Sequence, residues 1–392
     1  MLFPFSFLFL QNNLHQIIMS ARIGVLLPRS SEFPSMAFDI LDGIRTHLQL
    51  IGLADSQLFT QNIGFGEDSG MMFSAAERLV MENDVQLVIA YATSLNAELL
   101  YPLADTVSRP FLFIDAGMEF FELPPNPNCF HITLQGLEAC VQLARQAATE
   151  GKSVLSATSF LDGGYRSIWA FEKGLKSADA TFSGHYVSHY QPAEFTLAPF
   201  TAQVSSGQSQ AVLASFSSYL NQLFLTKLKD EPEAARSLPF YCGPFMADEQ
   251  LLKNIPFPGG TYHTIVPWAT SLSNAENAEF LQTILTEKKK QANLFHLLGW
   301  EAASAAKQLL ENGSAAMQGW SYKSPRGTVT FHPETNCAYA PLSNGYIAAS
   351  ENGNCELQIN TTAEVSADDH RKLFFMKPEE GFSRWRNNYF CI

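Results

Sequence analysis

One glycine-rich stretch has the position of a phosphate-binding loop. Residues 64–70, GFGEDSG, follow a predicted strand and precede a predicted helix. The spacing G-x-G-x-x-x-G differs from the nucleotide-binding patterns, and Glu67 and Asp68 would repel a phosphate. We therefore interpret this stretch as a flexible loop whose acidic residues favour the start of the next helix.

Two histidines have a spacing that could bind a metal ion. His185 and His189 are four residues apart, which on a helix would place both rings on one side. They lie in a strand-like run, where the same spacing separates the side chains by roughly 13 Å. The sequence also has no G-x-S-x-G, H-E-x-x-H or P-loop pattern. We predict no catalytic residue, no metal and no cofactor.

Two hydroxyl residues stand where a strand meets a helix. The strand-forming run VQLVIAY at 85–91 is followed by Ala92, Thr93 and Ser94, and then by the helical sequence LNAELLYPLAD. A hydroxyl at a helix start can cap a free backbone N–H group. The same N–H groups can instead meet a polar or anionic ligand atom. The two roles are compatible, and we predict that Ser94 both caps its helix and faces a ligand.

The elements that would position such a site alternate along the chain. Strands are predicted at 22–28, 57–63, 85–91 and 110–115, and again at 153–158, 181–187, 210–216 and 238–242, with helices between them. This alternation is typical of parallel sheets covered on both faces. The predicted class is α/β, with two doubly wound parallel-sheet lobes joined by a three-strand hinge.

Open α/β sheets bind ligands at the loops that follow the carboxyl ends of their strands. In the first lobe these loops are predicted at 28–33, 92–94 and 116–119, and in the second at 159–165, 215–218 and 243–246. We therefore expect the ligand between the two lobes.

The remaining chain sets the domain boundaries. At 392 residues the chain is long enough for two domains. After a strand at 261–269 come two long helices and a hairpin at 326–350, and hinge crossings are predicted near 130–135, 265–270 and 323–327. The first lobe would comprise 21–132 plus 268–324, and the second 133–267 plus 325–350. Residues 1–20 would be an unstructured or misassigned extension, and 351–392 a mobile or added C-terminal extension.

Charge and cysteine content exclude some functions. The net charge of −13 argues against a nucleic-acid partner, which needs a basic surface, and disfavours docking on an anionic membrane. The six cysteines form no C-x-x-C pair, which disfavours a zinc or redox motif. Cys337 and Cys355 flank the predicted hairpin and are either free thiols or, in an exported protein, a disulfide.

The N-terminus leaves the location open. The apolar stretch MLFPFSFLFL is ten residues long, too short to span a bilayer. A secretory signal carries a basic start and a small-residue cleavage site, but no Lys or Arg precedes Arg22. We predict that translation begins at Met19, which would leave the protein cytoplasmic. An atypical signal peptide is the alternative.

Several stretches resemble a known family. RIGVLLPRSS, DILDGIRTHL, AAERLVMENDVQLVIAYATSLNAELLYPLAD and RPFLFIDAG resemble the first lobe of type I periplasmic binding proteins, in particular the branched-chain amino-acid (Leu/Ile/Val)-binding receptors of ATP-binding-cassette importers. LDGGYRSIWAFEKGLKSA, and LGWEAASAAKQLLENG followed by PRGTVTF, are similar to the later parts. The resemblance covers 22–350. It implies hinged lobes that close on a ligand, a periplasmic or cell-envelope location, and a membrane permease as partner.

The resemblance also implies a site, which this sequence alters. In the amino-acid receptors, the loop matching Thr93 and Ser94 holds the ligand carboxylate. Glu119 stands where a threonine is usual, and Phe245 stands at or near the acid that grips the ligand ammonium. Leu161 or Asp162 replaces a ring that often covers the ligand. We therefore expect Leu, Ile and Val to bind poorly.

The predicted ligand has a polar end at Ser94 and a flat or apolar part against the second lobe. It is amino-acid-like, or an aromatic acid or amide, and Asp115, Glu119 or Asp162 would be the partner of any ammonium. The residues predicted to contact it are Ser31, Thr93, Ser94, Asp115, Gly117, Glu119, Asp162, Tyr165, Phe216 and Phe245.

The predicted function is a solute-binding receptor that closes on a small polar ligand without converting it, as the binding component of an importer. One alternative is a sensor of the same fold that signals to a partner. Another is a two-domain α/β enzyme such as a glycosyltransferase. A third is a degenerate receptor that mediates only protein contacts, with Phe216 and Phe245 filling the cleft.

Overall fold

A computed structural model describes residues 20–377 and 385–391 of the chain. The question of a start at Met19 or an N-terminal signal falls on residues outside this description. No helix in the described part combines the length and the apolar character needed to cross a membrane.

The first lobe begins with an alternation of strands and helices. Its elements are β1 (Arg22–Leu27), α1 (Met36–Leu50), β2 (Gln57–Asn62), α2 (Ser69–Met81), β3 (Leu87–Tyr91), α3 (Ser94–Ala97), α4 (Tyr101–Val107), β4 (Phe111–Asp115) and β5 (Cys129–Thr133).

The second lobe repeats this pattern. Its elements are α5 (Gly136–Glu150), β6 (Ser153–Ser159), α6 (Ser167–Lys176), β7 (Thr181–Ser188), α7 (Ala198–Ser205), β8 (Ala211–Ser215), α8 (Ser218–Asp230), β9 (Phe240–Cys242), α9 (Glu249–Leu252) and β10 (Tyr262–Val266).

The chain then returns to both lobes. The remaining elements are α10 (Ala275–Lys288), α11 (Leu294–Asn312), β11 (Ser321–Ser324), β12 (Gly327–Phe331), β13 (Cys337–Tyr339), β14 (Leu342–Ala349), β15 (Cys355–Ala363) and α12 (Ala367–Phe375).

Two sheets form the centres of the lobes. The first has the order β11-β12-β13-β5-β4-β3-β1-β2, and the second β15-β14-β10-β9-β8-β6-β7. Each is parallel at its centre, and the antiparallel strands lie toward one edge. The predicted fold class is confirmed.

Apolar side chains bury both faces of the first sheet, as the continuous apolar strands predict. Along β1, Ile23 and Val25 pack with α1 and α11 on one face. The neighbouring Leu26 packs on the other face, with Leu79 of α2. Because both faces are covered, the strand ends are the part of the sheet left for a site.

The chain crosses between the lobes at three places. The first crossing follows β5 at 133–136 and the second follows β10 at 267–274, close to the predicted positions. The third lies between β13 and β14, at 340–341, and not at 323–327. Residues 327–339 therefore belong to the first sheet, which differs from the predicted assignment of 325–350 to the second lobe.

The C-terminal part is also placed differently from the prediction. Residues 355–363 form β15, which pairs antiparallel with β14 as the edge of the second sheet. Helix α12 follows, with the Ser366 hydroxyl as its cap. All six cysteines are free and buried. Cys337 and Cys355 lie in different sheets, so the disulfide alternative is wrong.

Candidate ligand-binding cleft

The cleft lies where the strand ends of the two lobes face each other, and it holds a part of the chain itself. Residues 385–391, WRNNYFC, lie between the lobes, and we call them the C-terminal segment. Within it, Asn388 and Cys391 are fully buried and Tyr389 is 2% exposed. The sequence reading placed these residues in a mobile or added extension, and the structure places them among the strand-end loops.

The carboxamide of Asn388 occupies the end of β3. Its Oδ1 accepts from the backbone N–H of Thr93 at 3.0 Å, and its Nδ2 donates to the carbonyl of Tyr91, also at 3.0 Å. Asn96 Nδ2 donates to the same Oδ1 at 3.1 Å. One backbone donor and one backbone acceptor, side by side, therefore recognise both ends of a primary amide.

The two hydroxyl residues divide their predicted roles. Thr93 is the N-cap residue of α3, and no side chain caps the helix. The Ser94 hydroxyl donates to the carbonyl of Phe120 at 2.6 Å. The predicted cap at Ser94 is therefore wrong. The backbone N–H group that donates to a polar atom in the cleft is that of Thr93, and the atom is Asn388 Oδ1.

The ring of Tyr389 lies against the second lobe. Its centroid is 4.6 Å from that of Tyr165 in an edge-on arrangement and 5.3 Å from that of Phe245. The Tyr389 hydroxyl donates to Asp162 Oδ1 at 3.3 Å, and its carbonyl accepts from the Tyr91 hydroxyl at 2.9 Å. Three of the predicted contact residues therefore surround one aromatic side chain.

Phe390 fills the space between the lobes next to Tyr389. Its ring lies 5.1 Å from Phe33 and 4.8 Å from Phe245, in edge-on arrangements. The Ser30 hydroxyl donates to its carbonyl. A cavity of about 340 Å³ lies beside Phe390 and is bordered by Phe295 and Trp268. Part of the cleft is thus open beside the segment.

The loop GFGEDSG contributes one wall of the cleft. The Asp68 carboxylate caps α2 by accepting from the backbone N–H of Met71 at 2.9 Å, which agrees with the prediction that acidic residues here favour the start of the helix. The carbonyl of Phe65 accepts from the backbone N–H of Asn388 at 2.9 Å. A Cβ atom at Gly66 would lie 2.2 Å from Asn388 Nδ2. This loop therefore holds an amide side chain.

A buried ion pair joins the lobes across the cleft. Arg166 of the second lobe and Glu119 of the first lie 3.2 Å apart, Nε to Oε1, and both side chains are buried. The backbone N–H of Arg166 also donates to the carbonyl of Met118 at 3.3 Å. Glu119, predicted as an ammonium partner, thus has an arginine of the opposite lobe as its partner.

The other two predicted acids are buried. Burial raises the pKa of Asp115 to about 7, the charge of Glu119 adds to the effect, and the Gly117 N–H opposes it. Burial also raises the pKa of Asp162, against hydrogen bonds from Ser159, Ser217 and Tyr389. Asp115 and Glu119 border a cavity of about 50 Å³ under the cleft, together with Ser94 and Gly117.

Two predicted contact residues lie elsewhere. Ser31 is exposed, and its neighbour Ser30 makes the bond to the C-terminal segment. The ring of Phe216 stacks on Phe224 at 4.3 Å in the core of the second lobe, so it faces away from the segment. Whether any of the ten residues contacts a soluble ligand stays a prediction.

The occupant of the cleft is not predicted by the sequence patterns. Asn388, Tyr389 and Phe390 carry the polar and aromatic contacts described above, but they follow a polar stretch with no periodicity. The signal present was the aromatic cluster in RWRNNYF, which is unusual for an exposed terminus because large rings gain most from burial.

Outside the cleft, histidines lie beside hydroxyl or acidic side chains in the part of the chain that the structure describes. His185 and Ser156 Oγ lie 2.7 Å apart on neighbouring strands. Within the described residues, the side chains of Asp39, Asp42 and His296 lie near enough to share a metal ion. Lys290 Nζ already lies 2.9 Å from Asp39 and 3.1 Å from Asp42. Lys288 Nζ also lies 3.5 Å from Asp42, so this group is an ion-pair network whose cations are two lysines.

Two lobes, three crossings and a cleft between facing strand ends define a solute-binding protein. A profile described as "Periplasmic binding protein" matches residues 20–352, and the chain belongs to this family. No curated protein sequence matches significantly.

Solved structures share the fold. An ABC transporter substrate-binding protein from Sphaerobacter thermophilus superposes with a TM-score of 0.74 at 15% identity, over 88% of this chain and 98% of its own. A solute-binding protein from Rhodopseudomonas palustris BisB5, in complex with 3,4-dihydroxybenzoic acid, gives 0.70 at 16%, over 88% and 97%. An ABC-type branched-chain amino-acid transporter from R. palustris CGA009 gives 0.69 at 11%, over 93% and 100%.

Proposed function

We propose that the protein is a solute-binding receptor whose lobes close on a small ligand without converting it, as the binding component of an importer. Its family and its structural neighbours, described as ABC transporter proteins, support this role. The cleft at the facing strand ends is where open α/β sheets bind ligands. The importer is favoured over the sensor and the enzyme because the structural neighbours are transporter proteins.

We propose an aromatic primary amide as the class of ligand. The observation that carries this is the Asn388 carboxamide, held by the Thr93 N–H and the Tyr91 carbonyl at 3.0 Å each. Next to it, Tyr165 and Phe245 border the ring of Tyr389. A ligand with an amide end and an aromatic ring would satisfy the same groups.

A carboxylate fits this pair less well. It has no proton for the Tyr91 carbonyl, so two acceptors would face each other. Burial raises the pKa of Asp115 and of Asp162 near the cleft, which shows that these surroundings already disfavour a negative charge. Among the structural neighbours are proteins in complex with benzoates, which supports an aromatic ligand. The donor and acceptor pair supports the amide over the acid.

Branched-chain amino acids fit less well still. Their carboxylate meets the same mismatch, and their ammonium needs a charged or well hydrogen-bonded partner when buried. The nearest predicted partner, Glu119, is engaged by Arg166. Phe245 offers a ring face, and a cation–π contact contributes only about 0.5 to 2 kcal/mol.

The test compares benzamide, benzoate and leucine by calorimetry. The protein is the double variant Asn388→Ala, Tyr389→Ala, in which the segment no longer supplies its own amide and ring. Benzamide should bind about 10- to 100-fold more tightly than benzoate, because a mismatched buried acceptor costs about 1 to 3 kcal/mol. Arg386→Ala is the control, since this side chain is exposed. Tighter binding of benzoate or leucine would refute the amide assignment.

A further inference from the structure

We propose that the C-terminal segment is a built-in peptide ligand of the cleft, which a soluble ligand must displace in order to bind. The competition rests on the proposed function, whereas the occupancy is independent of it. The proposal depends on four features: contacts with both lobes, glycines that admit the segment, a nearby helix that is held in place, and a position beyond the family profile match.

The segment contacts both lobes at once. On the first lobe, the Asn388 side chain bonds to the end of β3. On the second, the Trp385 backbone N–H donates to the carbonyl of Gly164 at 3.2 Å, and its ring Nε1 donates to the carbonyl of Leu161 at 2.8 Å. A peptide held in this way stabilises the closed arrangement of the lobes.

Glycines on opposite walls make room for the segment. A Cβ atom at Gly66 of the first lobe would lie 2.2 Å from Asn388 Nδ2. At Gly164 of the second lobe it would lie 1.5 Å from Trp385 Nε1. Any side chain at Gly164 would therefore overlap the Trp385 ring. The walls of the cleft are shaped for this peptide.

Helix α12 attaches the segment close to its site. His370 of α12 lies 2.6 Å from Glu138 of α5, Nδ1 to Oε1, and both side chains are buried. Burial alone would lower the pKa of His370, but Glu138 and Cys337 raise it to about 10. The contact between His370 and Glu138 is therefore an ion pair at neutral pH, and it holds α12 against α5. A short attachment gives a tethered ligand a high effective concentration, on the order of millimolar.

The segment lies beyond the residues that match the family profile. The profile match ends at residue 352, and the segment begins at 385. Its contacts use hydrogen-bonding groups and ring faces that a soluble ligand could also use. If the segment occupied the cleft 90 to 99% of the time, it would weaken the apparent affinity of a ligand by about 10- to 100-fold.

The first test measures occupancy through the thiol of Cys391. This residue and Cys242 in the second-lobe core are both fully buried, so N-ethylmaleimide should label both slowly in the full chain. Gly164→Ala should speed labelling of Cys391 about tenfold or more and leave Cys242 unchanged. Gly163→Ala is the matched control, because its new Cβ would lie 3.6 Å from the nearest atom.

The variant Asn388→Ala, Tyr389→Ala removes contacts of the segment itself and should speed the labelling of Cys391 by the same factor. It keeps the test valid if Gly164→Ala disturbs the turn that contains Gly164. Cys391 labelling in the unmodified chain as fast as in a free peptide would overturn the proposal. So would unchanged Cys391 labelling in both variants.

The second test measures competition with benzamide as the probe. Gly164→Ala should bind benzamide about 10- to 100-fold more tightly than the unmodified chain, and Gly163→Ala should match the unmodified chain. Equal affinity in all three proteins would refute displacement and leave the proposed receptor function intact. If no protein binds benzamide but Cys391 responds to Gly164→Ala, the amide assignment fails and the built-in ligand is supported.

Discussion

The lobes meet in two regions of different character, the three crossings and the cleft. At the crossings the chain is continuous, and buried polar groups there bond to partners from distant parts of the chain. In the cleft no crossing strand passes, and the lobes are joined by side chains and by the C-terminal segment. The comparison separates contacts that hold the lobes permanently from contacts that a ligand can replace.

A buried ion pair lies beneath the crossings. Arg326 donates to both carboxylate oxygens of Glu301 at 2.8 Å, and both side chains are fully buried. The Gln135 amide oxygen, at the first crossing, accepts from Arg326 at 3.4 Å and from the backbone N–H of Ala340, at the third crossing, at 2.8 Å. This network links two crossings to the first lobe.

The cleft contacts use groups that can change partners. The Thr93 N–H and the Tyr91 carbonyl would be rehydrated or bound by a ligand if Asn388 left. The Arg166 and Glu119 pair spans the two lobes and would separate when they open. Directional contacts at the edge of each lobe therefore decide, together with apolar contacts such as those of Phe390 with Phe33 and Phe245, whether the cleft is closed.

The largest effect is expected from a substitution that breaks the network of Arg326, Glu301 and Gln135 at the crossings. Arg326→Ala leaves Glu301 buried without its cation, which should lower the free energy of unfolding by about 3 to 5 kcal/mol. Denaturant titration measures this. The double variant Arg326→Met, Glu301→Met should recover much of the loss. A loss below 1 kcal/mol in Arg326→Ala would show that the pair behaves as an exposed one.

The next largest effect is expected when Asp115, which lies under the cleft, is replaced: the protein should become more stable at pH 8. The raised pKa of Asp115, about 7 against an ordinary 3.8, means that the folded state prefers the protonated carboxyl. This contribution is complete below pH 4 and is lost as the pH rises through 7. Asp115→Asn should therefore raise the free energy of unfolding at pH 8 by about 2 to 4 kcal/mol.

The same variant should have little effect at pH 4, where the carboxyl is protonated in the folded state. Denaturant titrations across pH 4 to 8 check the slope, with the exposed Asp55→Asn as the control. A gain that is equal at both ends of the range would rule out titration of Asp115 as its cause.

Gly117 lies where the cleft meets the first crossing, because its Cβ position faces Gln135. Gly117 has a φ of +71°, and a Cβ there would lie 3.0 Å from the backbone nitrogen of Gln135. Gly117→Ala should cost about 1 to 3 kcal/mol through backbone strain and this contact. Gly207 has the same φ of +71° and no atom within 4 Å of its Cβ position. Gly207→Ala should therefore lower the free energy of unfolding by less than Gly117→Ala. Equal losses in the two variants would show that the contact with Gln135 contributes nothing.

The smallest effect is expected at the rim of the cleft. The Ser218 hydroxyl of the second lobe, which is buried, donates to the Glu32 carboxylate of the first, which is partly accessible to water. Glu32→Gln keeps an acceptor and should change the free energy of unfolding by less than about 1 kcal/mol. A loss as large as that of Arg326→Ala would contradict the distinction between the two regions.

Local patterns were enough to predict most of the strands and the facing strand ends that form the cleft, but not β5, β15 or α12. The strands from β1 to β4 and from β6 to β9 follow apolar runs, because a strand buried on both faces must be apolar throughout. The position of the acidic residue Asp68 at the start of α2 follows from local spacing in the same way. The third crossing was misplaced because the pairing of β13 with β5 joins residues about two hundred positions apart.

The sequence by itself determined two α/β lobes, their facing strand ends and the loop at Thr93, because side-chain periodicity and strand direction are local properties. Only the tertiary structure decided that Phe216 turns into the core, that Ser30 and not Ser31 reaches the cleft, and that Asn388 fills it. These outcomes depend on which distant groups satisfy each other when buried. The position of Thr93 at a helix start indicates that its backbone N–H needs a hydrogen-bond acceptor. The tertiary structure supplies that acceptor from Asn388, 295 residues further along the chain.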